Sequence, residues 1–181
     1  MRRHTSKTLI AVLCLCSFVF ATGPPGVWLD VPFVKQEKDG CGAASIAMVM
    51  QYWLKQQGRA GGESADAAYI QRVLYSRPAH GIYASDLEHY LQQQGFRTFA
   101  FRGEWEDLRQ HLQKGRPLLA ALKPGGGNAP LHYVVVTGLD WEQGLVMVND
   151  PARRKLLKQP RAGFEKEWNA VANWTMLAVP Q

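Results

Sequence analysis

The sequence predicts an α+β fold, with a buried N-terminal helix that carries a cysteine packed on an antiparallel β-sheet that carries a histidine and an aspartate. Three observations predict it. The stretch from Cys41 to Gln57 is apolar almost all round its first half, which is the pattern of a buried helix. Helical segments come first along the chain and strands cluster later, the order of α+β rather than alternating α/β folds. Residues His132 to Leu139 and Leu145 to Asp150 read as two strands joined by a short turn, with apolar residues on both faces of the first.

The elements follow in order. Trp28 to Val34 alternates weakly and contains Pro32, so it reads as an extended edge segment. The Cys41 helix is stopped by Gly58 and Gly61-Gly62. Ser64 is expected to cap a second helix running to about Tyr75. Ser85 is expected to cap a third to Gln94, with Glu88 completing a capping box and Gly95 closing it. Phe96 to Phe101 is a strand, Glu104 to Lys114 a helix stopped by Gly115, and Pro117 to Leu122 a strand. Lys123 to Pro130 is a glycine-rich loop. A short helix near Glu165 to Ala170 and a strand from Trp174 to Val179 complete the order. Arg153, Arg154, Lys155, Lys158 and Arg161 form a basic stretch that reads as a solvated loop.

Residues 1–21 have the pattern of a secretory signal peptide. Arg2, Arg3 and Lys7 form a positive start, Leu9 to Phe20 an apolar run, and Val19-Phe20-Ala21 a small-residue cleavage site. The expected product begins at Thr22, so residues 22–181 form one domain of an exported protein, periplasmic or secreted from a bacterium. The apolar run is short for a bilayer span, so no stable membrane insertion of the mature chain is expected. Without Arg2, Arg3 and Lys7 the chain keeps 18 basic against 15 acidic residues, a net charge of +3 rather than +6. That mild excess, without basic–aromatic interleaving, argues against nucleic acid as a partner. Cys14 and Cys16 leave with the first segment, so Cys41 remains as a single thiol with no partner for an internal disulfide. An unpaired thiol in an oxidising compartment points to a use.

Thiol attack on a carbonyl needs a thiolate, a base, a group that holds the base, and donors for the oxyanion. Cys41 begins a helix, where backbone N–H groups favour the thiolate, and flanking glycines let a substrate approach the backbone. Against this stands the ordinary role of a free cysteine, a small buried core residue. His132 begins a strand after a flexible loop and is the candidate base. His80, beside Gly81, is its rival, whereas His89 and His111 fall within helices and read as surface positions. Asp150 would accept a hydrogen bond from His132; its alternative role is a turn residue in Asn149-Asp150-Pro151. Gln36 could donate its side-chain amide to the oxyanion together with the Cys41 N–H. Asn149 and Asp30 receive no role.

Parity constrains the hairpin. A five-residue connection over 140–144 places Asp150 opposite Val134, one diagonal from His132, about 7–8 Å between α-carbons. An even connection turns Asp150 to the other face unless a bulge corrects it. The expectation is therefore an odd connection or a bulge.

Metal and cofactor sites are not expected. There is no Cys-x-x-Cys and no His-Glu-x-x-His, and the glycine-rich loop lacks the Gly-Lys-Ser/Thr ending of a phosphate loop, so ATP is not expected either.

Asp30-Val-Pro-Phe-Val-Lys-Gln36, Asp39-Gly-Cys41-Gly-Ala-Ala-Ser-Ile-Ala-Met48, Leu131-His132-Tyr-Val-Val-Val-Thr-Gly138 and Asn149-Asp150-Pro151 together resemble the peptidase C39 family. That family is a bacterial branch of the papain-like cysteine peptidases, and the resemblance covers roughly residues 28–179. It implies a papain-like fold and a triad of Cys41, His132 and Asp150 with Gln36 as oxyanion donor, acting on a peptide or protein substrate. Its best-known members are fused to ATP-binding export transporters and cut leader peptides after a double glycine. The expected function is an exported cysteine peptidase working through a thioester. The alternatives are a non-catalytic peptide-binding module and an acyl or amide transferase using the same triad. The oligomeric state is not legible.

Overall fold

A computed structural model describes residues 25–181. The signal segment read at residues 1–21 lies outside the described residues. A seven-stranded antiparallel sheet forms the middle layer, with strands β1 (Gly26–Trp28), β2 (Phe96–Arg102), β3 (Leu118–Leu122), β4 (His132–Asp140), β5 (Leu145–Asp150), β6 (Arg154–Pro160) and β7 (Trp174–Pro180). The strand order is β2-β7-β3-β4-β5-β6, and β1 adds to the far end of β4.

Helices α1 (Cys41–Gln56), α2 (Ala67–Leu74) and α3 (Ala84–Gln93) cover one face, and α4 (Trp105–Gln113) and α5 (Arg161–Asn169) the other. The alternation along β4 explains both layers. Tyr133 and Val135 enter the core with Ile46 and Met48, whereas Val134 and Val136 pack with Leu108, Leu112, Phe164 and Trp168. A strand buried on both faces must be apolar throughout, as β4 is. The helix α1 buries an unbroken run from Gly42 to Met50, which is why its sequence shows no polar stripe.

Four local expectations are corrected. Ser64 sits in a short 3-10 turn, Glu63–Ala65, and Asp66 caps α2 by accepting from the Tyr69 N–H at 2.9 Å. An aspartate placed directly before the helix is the better acceptor for its free N–H groups. Ser85 lies inside α3, whose N-cap is Tyr83, and Glu88 accepts from the Thr98 hydroxyl at 3.0 Å rather than closing a box. The extended segment expected over Trp28 to Val34 pairs as a strand over Gly26–Trp28 alone; Leu29 adds one further bond, to the Thr137 carbonyl. The basic stretch is not a loop. Arg154, Lys155 and Lys158 lie on edge strand β6 and Arg161 opens α5, with Leu157 buried against the sheet and paired to Val148 while Arg154 and Lys158 face solvent. Charged residues on an edge discourage pairing with another chain, and they mask the strand pattern.

Candidate active site

The approach to Cys41 is set by a tight turn. The Gly40 N–H donates to the Glu37 carbonyl at 3.1 Å, and Asp39 holds a left-handed φ of 58°. α1 then starts at Cys41, which is half-buried, and Gly40 accepts the first helical bond from Ala44 at 2.9 Å. Gly42 packs closely at the next position. A Cβ there would lie 3.3 Å from a Leu87 methyl carbon. One turn into the helix, the buried Ser45 hydroxyl donates to the Tyr133 carbonyl at 3.2 Å. That bond fixes α1 to β4 directly beside His132, and nothing in the sequence distinguishes this serine from an ordinary helical one.

His132 opens β4. Its Nε2 lies 2.8 Å from Asp150 Oδ1, with side-chain exposures of 16% and 7%. Burial alone would lower the histidine's pKa. The hydrogen bond to Asp150, the Asp150 charge and the nearby Cys41 thiol override burial and raise it to about 9. With Nε2 committed to Asp150, Nδ1 is the ring nitrogen left for the thiol. Burial would raise the Asp150 pKa, but the His132 bond and charge, the Ala152 N–H at 3.0 Å and nearby Arg153 hold the carboxyl below its ordinary value.

The hairpin reaches this geometry through a bulge. The connection over 141–144 has four residues, and Asp140 pairs with Leu145. The ladder shifts between Val136 and Gly138, leaving Thr137 as the extra residue, and beyond it Val135 pairs with Asn149. Continuing that register sets Asp150 opposite Val134, on the face of His132.

The segment before the helix is fastened to the end of β5. The Asn149 amide donates to the Val31 and Pro32 carbonyls at 3.2 and 3.3 Å, and the Gln36 N–H donates to the Pro151 carbonyl at 3.0 Å. Asn149, given no role from sequence, thus holds the strand carrying Asp150 against the segment carrying Gln36. Asp30 instead pairs with Lys55 and Lys155 at the surface.

Gln36, Cys41, His132 and Asp150 line one cleft of about 350 Å³. The Gln36 Oε1 is buried without a hydrogen-bond partner among the described residues. His80, the rival histidine, is exposed on the rim of the same cleft in a strained left-handed conformation, φ 47°, while His132 makes the carboxylate contact. His89 is exposed. His111 is not a surface residue as expected: it is half-buried, 6.2 Å from the Phe101 ring, and its Nδ1 is buried and unpaired among the described residues. Burial lowers its pKa.

The model of the Peptidase_C39 like family matches residues 28–176. No curated protein matches the chain. Solved structures give the fold. A Bacillus anthracis structure assigned as a C39-like peptidase superposes with a TM-score of 0.67 at 20% identity, covering 86% of this chain and 98% of that one. A double glycine motif protease from an AMS/PCAT transporter, in complex with its leader peptide, gives 0.64 at 22% identity over 86% and 95%. Xylellain, a cysteine protease from Xylella fastidiosa, gives 0.59 at 12% identity over 87% of each chain. The helix-and-sheet arrangement is therefore papain-like, and the chain belongs to the Peptidase_C39 like family of cysteine-type peptidases.

Proposed function

We propose that this peptidase hydrolyses peptide or amide bonds with Cys41 as nucleophile, His132 as base and acid, Asp150 as the group that orients His132, and Gln36 as an oxyanion donor. The observation that carries the reading is the position of His132, bonded to Asp150 at 2.8 Å and lining one cleft with Cys41. A histidine held near pKa 9 by these partners is an imidazolium at neutral pH, and it stabilises a thiolate beside it.

The thiolate attacks the carbonyl carbon, and the carbonyl electrons move onto oxygen. The Cys41 N–H and the Gln36 amide face that oxyanion. The C–N bond then breaks, and His132 gives its proton to the leaving amine, which leaves an acyl thioester. Water attacks the thioester, His132 takes the water proton, and the C–S bond breaks to restore the ion pair. The substrate is a peptide, the chemistry of the leader-bound neighbour. The site acts outside the cytoplasm if residues 1–21 direct export.

The test is the pH dependence of Cys41 alkylation by iodoacetamide. A rate already high near pH 6, lost in His132→Ala, is expected. A midpoint near that of an ordinary thiol, about 8.5, unchanged by the histidine substitution, contradicts the reading.

A further inference from the structure

One wall of the cleft has a composition the hydrolytic chemistry does not use. Leu122 ends β3, Pro124 and Pro130 bracket the β3–β4 loop, and Leu131, next to His132, is 45% exposed. Glu167 on α5 lines the same cleft. α5 is tied to the loop where the Lys123 N–H donates to the Glu167 carbonyl at 3.1 Å, so the glutamate's backbone is fixed against the apolar wall.

The other two carboxylates that line the cleft are committed, and Lys123 in the adjoining loop and Arg153 are the cations beside it. Asp150 is held by His132, and Asp39 accepts from the Tyr75 hydroxyl at 3.2 Å. Arg153 stands on the Asp150 side, where its charge acts on that carboxyl. Glu165, two residues before Glu167, is bound by Arg161 at 2.8 Å on the surface. The half-buried Glu167 carboxylate has neither ion pair nor hydrogen bond among the described residues.

An apolar wall that ends in a free carboxylate fits a side chain with an aliphatic stem and a cationic tip. We propose that this wall is a subsite for a lysine or arginine side chain of the substrate, with Glu167 as its specificity-determining residue. The stem lies along Pro124, Pro130 and Leu131, and the cation meets the Glu167 carboxylate in a charge-assisted hydrogen bond. An aliphatic residue covers the same wall but strips water from the carboxylate without replacing it. An acidic residue is repelled. The inference rests on the thiol-hydrolase reading of this cleft and adds a substrate class to it.

The experiment uses quenched fluorescent peptides with a single Lys, Leu or Glu at each of three positions on either side of the scissile bond. At one position Lys is expected to exceed Leu in kcat/KM by roughly tenfold, and Glu to fall below Leu. Glu167→Gln is expected to bring the Lys-to-Leu ratio near one. Glu167→Lys is expected to favour the Glu peptide over the Lys peptide. Each ratio is internal to one variant, so a general loss of folded protein does not alter it. Cys41-dependent cleavage with no basic preference at any position, or a preference that survives Glu167→Gln, overturns this inference alone. Absence of any Cys41-dependent cleavage overturns the hydrolase reading and the inference with it.

Discussion

The 2.8 Å contact between His132 Nε2 and Asp150 Oδ1 depends on one unpaired residue, Thr137. A regular hairpin with a four-residue turn would set Asp150 opposite Val135, on the face away from His132. The bulge at Thr137 restores the parity, and the Thr137 hydroxyl donates to the Met147 carbonyl at 3.2 Å to hold it. The extra residue leaves the fold almost unchanged and decides which face carries the carboxylate.

Asp150→Asn removes a charge and a hydrogen bond that both raise the His132 pKa, so that pKa falls. In the proposed reaction the imidazolium protonates the leaving amine, so activity should be lost as pH rises through about 9 in the wild type. In Asp150→Asn the alkaline limb of kcat/KM should move to lower pH, with a loss of about 10²–10⁴-fold at neutral pH. A pH–rate profile of both proteins checks this. An unmoved limb would show that Asp150 does not act on His132.

Gln36→Ala should lower kcat by about 10²–10³-fold with KM little changed, the pattern of an interaction made to the developing oxyanion. Steady-state kinetics on one peptide check it. A rise in KM at constant kcat would place Gln36 in ground-state binding instead.

Gly138 follows the bulge where β1 crosses β4. A Cβ at this position would lie 2.6 Å from the Val27 carbonyl oxygen and 2.9 Å from the Met147 methyl carbon. Gly138→Ala should therefore destabilise the fold by about 1–3 kcal/mol, read from urea unfolding. Wild-type stability in this variant would mean that β1 is free to move away.

The parts of the site that were legible in sequence lie in segments with strong local signals. Cys41 stands between glycines at the head of an apolar helix, and His132 and Asp150 sit at the ends of short valine-rich apolar runs that read as strands. Parity showed that the hairpin needed an odd connection or a bulge, but the position of the bulge depends on the packing of β1 and β5 against β4. β6 was missed because its solvent face is Arg and Lys, and Leu156, at φ 51°, breaks the alternation. The caps at Ser64 and Ser85 were misplaced because Asp66 supplies one acceptor and tertiary contacts draw Glu88 to Thr98. Ser45, Asn149 and Glu167 carried no local signal at all. Their partners are distant in the chain: Tyr133 for Ser45, Val31 for Asn149, and the β3–β4 loop for Glu167.

The most direct measurement is a peptide-library digest with the purified chain lacking residues 1–21, run beside Cys41→Ala and read by mass spectrometry. The account predicts new peptide ends with the wild type and none with Cys41→Ala, while both proteins melt at similar temperatures. Equal cleavage by the alanine variant, or no cleavage by either, would contradict it.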